Sequence, residues 1–229
     1  MEAERLFLAH LTDLLLGLVL AGLVVNGRAR LCWSFAGYVA AVLICDRLIV
    51  WWPESFYTRG FWAMKESLYW LLKLGVAAEI GLLTFAALPR ARRILIGLLS
   101  LVLLAAALAQ LAPAAERPGD AYAWAGVVGP RGQAGMVCLL ASVVVIAVYY
   151  RVPLHPLHRS IVIGLALYLV AYTSVLATLR EIGARAYLIM NVLDPVAYAA
   201  TVGLWARASW RSEEEPGRAV RWLRPWARP

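Results

Sequence analysis

Charged side chains, histidine and paired cysteine are what this sequence lacks. Charged residues fill 16% of its 229 positions and hydrophobic residues 62%; ordinary soluble domains carry roughly 25% and about 45–50%. A water-soluble globule of this size could not hide so much apolar surface, so a soluble fold is excluded and the solvent is lipid. Three cysteines, Cys32, Cys45 and Cys138, give no disulfide framework: the first two share one predicted helix, too far apart along it to bridge. All three read as buried thiols. Of the three histidines only His10 falls in an apolar stretch, which excludes the histidine pair of a transmembrane haem and leaves the usual acid–base residue almost absent. No His-Glu-x-x-His, phosphate loop or Gly-x-Ser-x-Gly elbow occurs. The last span has no lysine for a retinal Schiff base. No cofactor or metal is implied, and nothing recommends an enzyme.

What is present is a succession of long apolar runs, at 6–26, 31–52, 61–88, 92–112, 134–150, 160–179 and 185–206. Each approaches the roughly 20 residues that a helical span needs, and helix is the open-ended element that satisfies its own backbone in lipid. Residues 1–206 are therefore expected to form an all-α bundle of seven transmembrane helices, followed by a tail over 207–229. Pro and Gly punctuate the short breaks, as in Trp52-Pro53-Glu54 and Leu88-Pro89-Arg90. One long connection, 113–132, holds Gly129-Pro130, and its apolar middle at 121–128 suits the bilayer surface. Met1-Glu2-Ala3-Glu4-Arg5 is acidic where a cleavable signal is basic, so the first run is expected to stay as a helix.

The net charge of +8 does not point to nucleic acid, because the charges sit between apolar runs and in the tail. Arg28, Arg30, Arg90, Arg92, Arg93, Arg151, Arg159 and six tail arginines fall on one side, thirteen in all, against six on the other. The positive-inside rule then places the N-terminus outside and the C-terminus in the cytoplasm of an inner-membrane, multi-pass protein. In the tail, Arg218, Arg221, Arg224 and Arg228 alternate with Trp222, Leu223 and Trp226, a composition suited to anionic lipid.

Eight ionisable residues lie inside or at the edge of the spans: Asp13, Asp46, Arg47, Lys65, Glu66, Lys73, Glu79 and Asp194. Charges at bilayer depth are costly and face the bundle interior, where they mark function or merely fix helix order. At about 1.5 Å per residue, Asp13, Asp46, Arg47, Glu66, Asn191 and Asp194 come to one level, roughly 10 Å below the outer boundary. Their faces align as well. Tyr187, Asn191, Asp194 and Tyr198 form one stripe, as do His10, Asp13 and Gly17, Glu66, Tyr69 and Lys73, and the pair Tyr168 and Tyr172. The expected site is one polar cavity in the outer half of the bundle, built from Asp13, Asp46, Arg47, Glu66, Tyr69, Lys73, Asn191 and Asp194, with Lys73 at its floor and a carboxylate close to both Arg47 and Lys73. Pro195, directly after Asp194, is expected to kink the last span at the acid and free backbone carbonyls beside it. Five acids against three bases leave a formal excess of negative charge, which a bound cation or proton would relieve. Asp13 and Asp194 have no base beside them in sequence.

The outline resembles small bacterial membrane proteins of unassigned activity with seven spans, an Arg-rich third loop and a Glu on span three, here Glu79 in Ala77-Ala78-Glu79-Ile80. The resemblance rests on general features and carries no residue roles. These observations favour a sensor, receptor or accessory subunit that binds a small polar ligand, lipid head group or cation and that contacts another membrane protein. A secondary or proton-coupled transporter using Asp13 and Asp194 is the main rival, and a lipid-modifying enzyme a further one.

Overall fold

A computed structural model describes the backbone of residues 2–111, 121–152, 154–182 and 187–211; side chains are described for 7–58, 60–104, 135–152, 154–175, 178 and 192–211. The long helices are α1 (Glu2–Val25), α2 (Trp33–Trp51), α4 (Arg59–Thr84), α5 (Pro89–Leu111), α6 (Ala121–Tyr149), α7 (Pro156–Ile182) and α8 (Tyr187–Trp210), with a single helical turn, α3 (Pro53–Phe56), between α2 and α4. No strand occurs among the described residues. The boundaries follow local chemistry. Pro53, Pro89 and Pro156 each open a helix, where the missing amide costs nothing and the fixed φ fits. Thr58 caps α4 by accepting from the amide of Phe61 at 3.3 Å. Gly27, at φ 65°, turns the chain out of α1 into a 3₁₀ turn at Arg28–Leu31, a left-handed conformation that glycine adopts without strain.

One expectation needs correction. The long connection expected over 113–132 is shorter, because α6 already begins at Ala121 and continues through Gly129 and Pro130. Its apolar start extends the helix rather than forming a separate surface segment. Asp194 and Pro195 both lie inside α8, which runs as one helix to Trp210. Proline still has no amide to offer the carbonyl of residue 191. The arginine-rich part of the tail lies outside the described residues.

Six helices close into a ring in the order α1, α2, α4, α6, α7, α8, and α5 packs outside against α4 and α6. At the ring's centre Trp205, fully buried, meets Phe35 and Tyr38 edge to face at centroid distances of 5.1 and 6.3 Å. Leu16, Val19, Val76, Ile80, Leu140 and Leu165 fill the space around it. The outward faces are apolar too: Leu14, Ile44, Leu71, Leu104, Val145 and Leu167 are all exposed. A contiguous exposed apolar surface of this kind is what lipid, not water, covers. Four helices are long and apolar enough to cross a membrane, over Phe7–Val25, Trp33–Trp51, Gly60–Thr84 and Pro156–Val175. The chain is a helical membrane protein by this measure. Cys32 and Cys45 are buried, but Cys138 is exposed on α6, so the expectation of three buried thiols fails for the third.

Candidate functional site: charged seams and a tyrosine-walled layer

Consecutive residues of a helix point about 100° apart, and α2 uses this at Asp46 and Arg47 to reach two different neighbours. Arg47 pairs with Asp13 of α1, both side chains being largely sequestered at 23% and 16% exposure. Asp46 faces α4 instead, where Lys65 Nζ lies 3.7 Å from its carboxylate. Lys65 also sits 3.9 Å above the Trp62 ring and 5.6 Å from that of Tyr69, so an aromatic wall takes the rest of its charge. Tyr69 turns its hydroxyl to the carbonyl of Val42 at 3.4 Å. These two pairs join α1 to α2 and α2 to α4. Both cations are matched there.

The third base is different. Lys73 is 4% exposed, and its ammonium lies 5.8 Å from the ring centroids of both Tyr38 on α2 and Tyr168 on α7. Glu66 and Asp194 are the carboxylates acting on it electrostatically, yet among the described residues Lys73 makes no ion pair and no hydrogen bond. The two carboxylates expected near Lys73 thus act on it without a direct ion pair, and tyrosine faces make the contact. Tyr168 stacks at 4.9 Å on Tyr198 and at 6.0 Å on Tyr172. On α8, Asp194 Oδ1 and the Tyr198 hydroxyl are buried without a hydrogen-bond partner among the described residues. Polar atoms in that condition are uncommon and costly. Tyr38, Lys73, Tyr168, Asp194 and Tyr198, from four helices, thus form one layer with Glu66 beside it.

Two further polar clusters at the opposite end are architectural. Glu79 of α4 accepts the amides of Trp33 and Ser34 at 2.9 and 2.8 Å and the Cys32 thiol at 3.5 Å. Burial first, and the Glu79 charge after it, push the Cys32 thiol up to about 12. Arg28 donates to the carbonyls of Ala208 and Arg211 at 2.9 and 2.6 Å, and Asn26 to that of Ser209 at 2.9 Å. Side chains from the turn after α1 therefore cap the end of α8. Trp210 Nε1 adds a bond to the carbonyl of Leu18 at 2.9 Å, so α8 runs parallel to α1.

Of the residues expected at the site, Asp13 and Arg47 are brought together on one seam, and Asp46 and Tyr69 come beside Lys65 on another. Lys73, Glu66 and Asp194 share the interior layer, and Asp46 acts on its Tyr38 and Tyr198. Asp13, with no base beside it in sequence, supplies the carboxylate expected close to Arg47. His10 is exposed and leaves the stripe it was read into. The side chains of Tyr187 and Asn191 lie outside those described. Tyr38 was missed: it is the one polar ring on its face of α2, with no partner at helical spacing to mark it. No three His, Cys, Asp or Glu side chains among the described residues come together as metal ligands. No family model matches this chain, and no curated protein or solved structure shows significant similarity to it.

Proposed function

We propose that the chain is a multi-pass protein of the bacterial inner membrane that crosses seven times, N-terminus outside and C-terminus in the cytoplasm. Its buried layer is a recognition site for a small polar ligand, lipid head group or cation, in a sensor, receptor or accessory subunit. The seven long helices span 19 to 29 residues each, enough at about 1.5 Å per residue to cross a hydrocarbon core of roughly 30 Å. Trp51, Trp52, Tyr57 and Trp62 are exposed at one end of α2 and α4, and Trp33, Tyr149 and Trp210 at the other. Two aromatic belts at these separations suit the two membrane interfaces, and the exposed Arg30, Arg92, Arg93, Arg151 and Arg159 accompany the second belt, as the cytoplasmic side requires.

One observation carries the functional reading. A lysine is held in the bundle interior against tyrosine rings, with two carboxylates acting on it and neither paired to it. Ion pairs that only set helix order look like Arg47 with Asp13; an interior base and acids kept apart are costly unless something polar joins them. The test is a thermal-shift screen of the purified full chain against polar metabolites and lipid head groups, with mass spectrometry of what co-purifies. A stabilising compound whose effect disappears in Asp194→Asn and changes in Lys73→Met is the expected outcome. A screen in which nothing stabilises wild type more than Asp194→Asn would overturn the reading. The transporter reading is favoured by Pro195 beside Asp194, since the proline leaves the carbonyl of residue 191 without its helical amide close to an acid, and carriers build ion sites from such oxygens; coupled ion flux in liposomes separates it from a sensor.

A further inference from the structure

We infer that the layer between α4, α7 and α8 takes up one monovalent positive charge, an alkali cation or a proton, at Asp194. This rests on the proposal that the layer is a recognition site and names the class of its ligand. The charge balance of the interior leads there. Asp13 on α1 is matched by Arg47, and Asp46 on α2 by Lys65. Glu79 is matched by the two amides and the thiol at the start of α2. Among the described residues Lys73 alone remains to balance Glu66 and Asp194, one base for two carboxylates. A single uncompensated carboxylate in the interior of a bundle is expensive, and one added unit of positive charge neutralises the layer.

The position follows from which atoms are satisfied. Asp194 Oδ1 and the Tyr198 hydroxyl, one turn apart on α8, are buried oxygens without a hydrogen-bond partner among the described residues. Both are hard ligands of the kind small cations take. Lys73, 4% exposed and without a hydrogen bond among the described residues, is held against the Tyr38 and Tyr168 rings and not against either acid. The walls therefore already accommodate an ammonium, as the negative faces of aromatic rings do, and they hold the resident cation off Asp194. Lys73 is then a tethered competitor: when it swings from the rings to the carboxylates it replaces the bound charge. The groups facing Asp194 are Lys73 and Glu66 from α4 and Tyr168 and Tyr172 from α7; Tyr38 of α2 and Tyr198 of α8 act on Tyr168 and on each other.

The experiment is the melting temperature of the full chain in nanodiscs of zwitterionic lipid, between pH 6 and 9, with Na⁺ or K⁺ replacing a bulky amine salt at constant ionic strength. An alkali cation at the site raises the melting temperature of wild type in proportion to the logarithm of its concentration. A proton at the site shows instead as a melting temperature that falls with rising pH and ignores the alkali cation. In either case the dependence vanishes in Asp194→Asn, and Lys73→Met tightens the apparent affinity by about tenfold through loss of a like charge. If Asp194→Asn does not fold, Glu66→Gln reads the same dependence and should weaken it. Absence of both dependences in wild type, or their persistence unchanged in Asp194→Asn, would overturn the inference. Stabilisation by an uncharged or anionic solute without either dependence overturns it while leaving the recognition site standing; stabilisation by nothing at all removes both.

Discussion

Glu79 Oε2 accepts the amide proton of Ser34 at 2.8 Å, so a carboxylate on α4 caps the helix that begins at Trp33. Its other oxygen takes the amide of Trp33. The exposed N–H groups of a first helical turn need such partners, and the positive end of the helix dipole favours an anion there. An acid near the membrane interface is thereby employed in fixing where α2 starts.

Removing that cap should therefore cost stability. Hydrogen bonds to a charged group contribute about 1.5–3 kcal/mol each when a buried partner is left unmet, and Trp33 is exposed, which lowers its share. Glu79→Ala is expected to lose about 2 kcal/mol in unfolding from detergent micelles, and Glu79→Gln about half of that, because its amide oxygen still accepts one proton. A loss below about 0.5 kcal/mol for the alanine variant would show that the cap is incidental.

Cys32, next to that carboxylate, should be an inert thiol. With its ionisation moved from 9.0 to about 12, only about one molecule in ten thousand carries thiolate at pH 8. The folded protein keeps a proton that the unfolded chain releases, so this group's contribution is complete below pH 9 and is lost as pH rises from about 9 to about 12. A water-soluble maleimide at pH 8 should label Cys32 after denaturation in SDS and not before. Labelling of the folded protein at the rate of a free thiol would contradict this.

The Asp13–Arg47 pair offers a double-mutant cycle. Leaving either charge alone in the bundle should destabilise by roughly 3 kcal/mol, whereas replacing both by leucine should recover most of the loss. The same cycle tests the assignment of Asp13 to structure. If Asp13→Asn is neutral for stability while altering ligand response, the acid belongs to the recognition site after all.

Gly164 marks the closest approach of α7 to α8. A Cβ there would collide with Trp205 Nε1 and lie 3.0 Å from its Cε2, and Trp205 is fully buried. Small residues at such seams let membrane helices touch. Gly164→Ala is expected to cost about 1–3 kcal/mol, and Gly164→Leu to prevent assembly; Gly97, with open space around its position, is the control that should tolerate alanine. Equal melting temperatures for the two alanine variants would refute the packing argument.

Helical character, the apolar spans and the burial of Lys65 and Lys73 were legible in the sequence, because each depends on composition and on the 3.6-residue period, whereas Arg28, read as a loop arginine, is buried against the end of α8. The stripe of Asp194 and Tyr198 faces inward as its spacing requires. What was not legible depended on which helix neighbours which. Arg47 could have met any carboxylate at its level; the ring order brings it to Asp13. Tyr38 carries no periodic signal and is recognised only through Lys73. Gly129-Pro130 reads as a break by local preference, yet α6 continues through it, since local propensity is a weak prior that tertiary context overrides.

The clamp of Arg28 and Asn26 on the last carbonyls of α8 has a consequence for biogenesis. The turn that supplies both side chains leaves the ribosome before α2, whereas its partners are made only when α8 is complete. Until then α1 holds Leu16, Val19 and Leu23, and the turn its guanidinium, without the surface they pack on in the mature ring. The earliest helix inserted must wait for the latest, and a ribosome that stalls within α8 leaves an open barrel of helices whose exposed seam is the mark a membrane protease could read.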